Sequence, residues 1–78
     1  MNDIEQEIAT KLEDKLDVPG WRLTFLEVLR TEEVYVIEGR VTKTKNNTTK
    51  GFQMSVLDFD LLDEIINQIV STLRVACH

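Results

Sequence analysis

Hydrophobic residues along this chain repeat with two different periods. In the last third they come in pairs: Leu61/Leu62, Ile65/Ile66, Ile69/Val70, then Leu73 and Ala76/Cys77. At about 100° per residue these positions, with Phe59, cover roughly half of a helix circumference, far more than the seam of a two-stranded coiled coil. The pattern predicts an amphipathic helix over about residues 59–76 whose apolar half needs a sheet beneath it. Asp58 is the expected N-cap, because that choice puts Leu57 and Leu62 at the hydrophobic-staple positions. Near the start, Ile4, Ile8, Leu12 and Leu16 form a narrower stripe with Ala9 beside them, which predicts a helix over about residues 3–17. Asn2 or Asp3 is placed to cap it, Asp3 and Gln6 have capping-box spacing, and Glu7 to Lys11 is a favourable i,i+4 pair. Val18-Pro19-Gly20 ends the helix: Pro19 drives Val18 out of the α region, and Gly20 supplies the positive φ of a type II turn.

Between the helices the period drops to two and β-branched and aromatic residues dominate, predicting strands over about residues 21–30, 34–45 and 49–56. Arg30-Thr31-Glu32-Glu33 is the first turn. Asn46-Asn47 reads as a two-residue loop, since asparagine tolerates left-handed backbone. That loop sets Val41 opposite Phe52, Gly39 opposite Met54 and Ile37 opposite Val56. Tyr35, Ile37, Val41, Phe52, Met54 and Val56 then share one face, and Glu38, Arg40, Gln53 and Ser55 the other. The first strand breaks phase: Trp21, Leu23 and Phe25 alternate one way, Leu26 and Val28 the other. A β-bulge near Phe25-Leu26 reunites the two sets and lays Phe25 over the bare Gly39. A regular strand would instead leave an apolar outer patch with Leu29, Val34 and Val36, and a dimer would follow. The expected fold is α+β, in the order α-β-β-β-α, with a three-stranded antiparallel meander and both helices packed on one face.

Composition narrows the class. The 78 residues make one domain, residues 1–78, and a chain this short buries only roughly 60% of the surface its unfolded form exposes, so self-association is a ready way to add core. The chain has 42% hydrophobic and 29% charged residues, which fits a globular domain rather than a disordered tail. A single cysteine, no basic-then-apolar start and no apolar run of about 18 residues predict a soluble cytoplasmic protein without a membrane segment. The net charge of −5 is unevenly spread: residues 1–17 carry six acids against two bases and 58–78 four against one, while 39–57 hold Arg40, Lys43, Lys45 and Lys50 with no acid. Both predicted helices are acidic and the second hairpin is basic.

Candidate chemistry is sparse. Asp58, Asp60, Asp63 and Glu64 have the oxygens a divalent cation takes, but at a helix start they are better explained as dipole-complementing residues. Cys77 and His78 are too few for a zinc site and sit at a fraying terminus, and the three glycines are isolated, so no cofactor, metal or catalytic set is expected. Asn46-Asn47-Thr48-Thr49 matches glycosylation spacing without a secretory signal. The polar side of the last helix is acidic where an anionic membrane requires basic residues. In element order the chain is similar to double-stranded-RNA-binding domains, which implies an RNA-binding surface. That family starts its last helix with a lysine-rich motif, whereas Asp58-Phe59-Asp60-Leu61-Leu62-Asp63-Glu64 stands here and repels an RNA backbone.

The expectation is therefore a small acidic, non-enzymatic protein–protein interaction domain: a subunit, adaptor or inhibitor-like protein whose partner is another protein, with a homodimer favoured by the surplus apolar residues Leu26, Val28, Leu29, Val34 and Val36. Its expected contact residues are Asp63, Glu64, Asn67 and Gln68 on the last helix and Leu29, Val34 and Val36 on the outer sheet face. A sharper form has the acidic surface imitate nucleic acid, as small phage-encoded nuclease inhibitors do. The alternative is a nucleic-acid-binding module using Arg40, Lys43, Lys45 and Lys50.

Overall fold

A computed structural model describes residues 3–77. Asn2, the alternative cap of the first helix, and His78 lie outside the described residues. The elements follow the expected order: α1 (Asp3–Lys15), β1 (Trp21–Arg30), β2 (Tyr35–Lys43), β3 (Thr48–Val56) and α2 (Leu62–Ala76). The strands form one antiparallel sheet in the order β1-β2-β3. Both helices pack on its inner face, where Ile8 and Leu12 of α1 and Ile65, Ile66, Ile69, Val70 and Leu73 of α2 meet Val28, Ile37, Val41 and Phe52. The two stripes seen in the sequence are the two faces buried here. After α1, Trp21 N–H bonds to the Val18 carbonyl at 3.2 Å with Gly20 at φ 83°, which closes the Pro19-Gly20 turn into β1.

The hairpin register differs from expectation by two residues. Gly39 faces Phe52, Ile37 faces Met54 and Val41 faces Lys50. The loop is four residues long, between the paired Lys43 and Thr48, because only Asn47 takes the left-handed conformation (φ 58°) where a two-residue type I′ loop needs two such residues. Asn47 N–H bonds back to the Lys43 carbonyl at 2.8 Å, and the Asn46 side chain accepts from Thr48 N–H at 3.1 Å. A slip of two preserves side-chain alternation, so the division between inner and outer faces is unchanged.

The bulge in β1 is real, but it falls between Leu23 and Phe25, making Thr24 the unopposed residue. Trp21, Leu23, Leu26 and Val28 all reach the core side as a result. Phe25 does not lie over Gly39. It pairs with Arg40, whose guanidinium sits 4.7 Å from the Phe25 ring centre, and the ring filling the space above Gly39 belongs to Phe52.

Asp58 does not cap α2. Its carboxylate accepts the Asp60 N–H at 3.0 Å, closing a local Asx turn that delays the helix to Leu62. Leu57, with 75% of its surface exposed, makes no staple; Phe59 anchors the connection instead, its ring 4.8 Å from Tyr35. In α1 the Gln6 amide donates forward to Thr10 Oγ1 at 3.4 Å. Lys11 bridges to Asp63 at 3.4 Å, Lys15 to Asn67 at 3.4 Å, and Asp17 to Arg74 at 2.7 Å. Both residue numbers rise together along these contacts, so the helices run parallel with their N-termini at one end of the domain.

Two predictions follow from this packing. A methyl group at Gly39 would overlap the Phe52 ring and stand 3.0 Å from the Phe25 carbonyl oxygen. Gly39→Ala should cost about 1–3 kcal/mol in urea unfolding, and Phe52→Leu in the same chain should cost less than the two changes added. The side-chain hydrogen bonds from Arg74 hold the Asp17 carboxyl below its ordinary value of 3.8. A depressed folded-state pKa stabilises above the unfolded value and loses that contribution as pH falls through the folded one. Asp17→Asn should lower the thermal midpoint at neutral pH, with the difference from the parent shrinking below about pH 4.

Candidate interaction surface

The register places every second residue of each strand on a sheet face that no helix covers. Thr24, Thr42 and Thr49 line up across all three strands at the hairpin end, with hydroxyl contacts of 2.9 Å and 3.2 Å. Next come Phe25 beneath Arg40, then Glu27 directly opposite Glu38, then Leu29 opposite Val36. Val34 has the same parity as Val36 and closes the row beside the β1–β2 turn, where Thr31 Oγ1 donates to the Val34 carbonyl at 2.7 Å. Leu29 is 43% exposed, although its neighbours across the strand pair are apolar.

This face therefore grades from a satisfied hydroxyl ladder to an unsatisfied patch. Two like charges directly opposite one another on a sheet are unfavourable, and a cross-strand pair of opposite sign is favourable by about 0.2–1 kcal/mol. Neither Glu27 nor Glu38 has a salt-bridge partner within 4.0 Å among the described residues. The apolar patch also lies at the end where acids collect. Glu32 and Glu33 sit in the adjacent turn, Asp58 and Asp60 in the β3–α2 connection, and Asp63 and Glu64 in the first turn of α2. The N-terminus of α1 brings Asp3 and Glu5 to the same end. Carboxylates at two parallel helix starts complement both dipoles, which explains their number without any ligand.

The expected α2 ridge is divided by the helix pairing. Asp63 and Asn67 turn toward α1, where Lys11 and Lys15 donate to them. Glu64 and Gln68 stand exposed one step around the helix, and Arg74 is engaged by Asp17 through 2.9 Å and 2.7 Å bonds. Of the four bases proposed for nucleic acid, Arg40 stands apart from the other three, and Lys43, paired with Trp21 and Thr48, shares the inner side at the hairpin end with Lys50. Arg40 lies on the outer face over Phe25, Lys50 opposes Val41 and so shares the inner side, near enough to Cys77 to act on its thiol, and Lys45 occupies the hairpin loop. Cys77 is buried in the core cluster, and burial pushes its thiol up. Among the described residues no group of three or more His, Cys, Asp or Glu is arranged to hold a metal ion, and no helix is long and apolar enough to cross a membrane.

Leu29, Val34 and Val36 were legible from alternation alone. Phe25 was not, because the face it takes depends on which side of the bulge it lies, and the Glu27/Glu38 pair follows from the register of the β1–β2 turn, which alternation alone leaves open. No protein-family model, no curated protein and no solved structure matches the chain. Glu27→Lys should raise stability by about 0.5 kcal/mol in urea unfolding, since it converts an opposed like-charge pair into an attractive one.

Proposed function

We propose that this is a non-enzymatic protein-interaction domain that binds a partner protein through the outer face of its sheet. The observation that carries the reading is the opposed Glu27/Glu38 pair beside the uncovered Leu29/Val36 pair. A protein that lays apolar side chains on Leu29, Val34 and Val36 and sets a lysine or arginine between the two glutamates removes exposed apolar area and supplies the missing opposite charge in one step. The acids of the β1–β2 turn and the α2 start extend the same sign around the patch, so the fitting partner has an apolar centre with a basic rim. Electrostatic attraction of that kind speeds encounter and weakens with added salt.

A photoreactive phenylalanine analogue in place of Val36 should give one discrete protein adduct on irradiation in an extract of the source cells. Leu29→Glu or Glu27→Lys with Glu38→Lys should remove it. The same probe at Thr10, on the outside of α1, should give none. Smeared or nucleic-acid adducts, or equal labelling from Thr10, would refute the outer face as the binding surface.

A further inference from the structure

The two edges of the sheet are not equivalent. The edge of β1 is closed: α1 packs along it, the bulge at Thr24 interrupts its ladder, and the Glu5 carboxylate accepts the outward-pointing Val28 N–H at 3.0 Å. The edge of β3 has a single charge, Lys50, as its protection. Nine residues run in unbroken register with β2, without proline or bulge. The only charged side chain on β3, Lys50, opposes Val41 and is directed to the inner side. An open edge of this length is a template for another strand.

We propose that a second copy of this chain pairs with that edge, β3 against β3 in antiparallel sense, to make a continuous six-stranded sheet about a two-fold axis near Phe52. Ladder alternation supports the register. Because Val28 N–H points away from β2, the Val28–Ile37 pair is a non-hydrogen-bonded one, which makes Ile37–Met54 a hydrogen-bonded pair of the next ladder. The amides of Thr49, Gly51, Gln53 and Ser55 then point outward. Symmetric pairing must set inner residues opposite inner residues, and centring on Phe52, the middle of Thr48–Val56, uses all nine. Gly51 then exchanges hydrogen bonds with Gln53 of the second copy, and Thr49 with its Ser55.

Charge selects a second copy as the occupant. This register brings the hairpin loop, which holds Lys45, to the end of the second copy from which the connection with Asp58 and Asp60 leaves β3. Residues 39–57 hold four bases and no acid, whereas the other end of the same edge leads straight into Asp58, Asp60, Asp63 and Glu64. An antiparallel two-fold sets basic end against acidic end twice. Above the edge, Leu61, Gln68, Thr72 and Val75 line the flank of α2 turned away from α1, since at about 100° per residue they fall opposite Asp63, Asn67 and Arg74. Leu61 is 63% exposed and Val75 76%, and each would run toward the other's counterpart on the second copy. This interface leaves the outer sheet face free and stands whether or not that face binds a partner.

Sedimentation equilibrium of the full chain from micromolar to about millimolar concentration should show mass rising from 9.0 kDa to twice that value. Gln53→Pro removes no bond to β2, because its N–H faces outward, and should hold the chain monomeric with unchanged circular dichroism. Lys45→Glu should raise the dimer dissociation constant by about threefold to tenfold at low salt and less at high salt. Adding Asp58→Lys and Asp60→Lys to that chain should restore it, and this charge exchange leaves the strand untouched if the proline variant does not fold. A monomer at every concentration, or a dimer that ignores Gln53→Pro and is broken by Leu29→Glu with Val36→Glu, would overturn the proposal. Dimerisation insensitive to charge at Lys45 would overturn the register.

Discussion

Thr24 has no opposite number on β2, and much of the domain depends on that one unpaired residue. Strand alternation is strict, so ten consecutive residues with a phase break cannot all place their apolar members on one side. The extra residue resets the phase and delivers Trp21 and Leu23 to the same core as Leu26 and Val28. Phe25 and Glu27 lie on its turn side, in the unbroken register that sets them opposite Arg40 and Glu38. One local irregularity therefore completes the core, while the outer face from Phe25 to Leu29 keeps the register of the β1–β2 turn.

The second organising constraint is the parallel course of the helices. Three strands joined by short turns bring α2 back in the same direction as α1, so two positive helix ends lie side by side. The chain answers with carboxylates at both starts, with Lys11 and Lys15 reaching from α1 to α2, and with Arg74 of α2 bound to Asp17 just past the end of α1. Exposed pairs of this kind contribute little each. Their effect is to fix the helices' alignment, while stabilisation comes from the apolar residues beneath them. The acids left over make one end of the molecule negative and leave the β2–β3 hairpin positive.

Sequence carried the architecture because every apolar stripe had a period that decided its element, and the sheet faces survived a register error because the error was an even number of residues. Local backbone geometry was harder. Asn46-Asn47 signalled a tight loop, but the signal does not say that one asparagine alone goes left-handed, and the four-residue loop follows from that. Asp58 has the chemistry of an N-cap and uses it on a turn of its own. Phe25 and Phe52 compete for the space over Gly39, and only the bulge position decides between them. The outer sheet face was half legible: parity gives Leu29, Val34 and Val36, while opposed charges require the exact pairing of two strands.

Glu5 does something a core-packing residue does not, since its bond to Val28 N–H makes α1 both a layer of the core and the guard of an edge. Losing α1 alone would therefore uncover Ile8 and Leu12 and release the β1 ladder in the same event. Local opening of a terminal helix is among the easiest fluctuations a small domain has. In this chain that fluctuation bares the β1 ladder on the turn side of the bulge, beside the uncovered edge of β3. Exposure of that ladder is thereby tied to the docking of the thirteen residues of α1 rather than to unfolding of the whole domain.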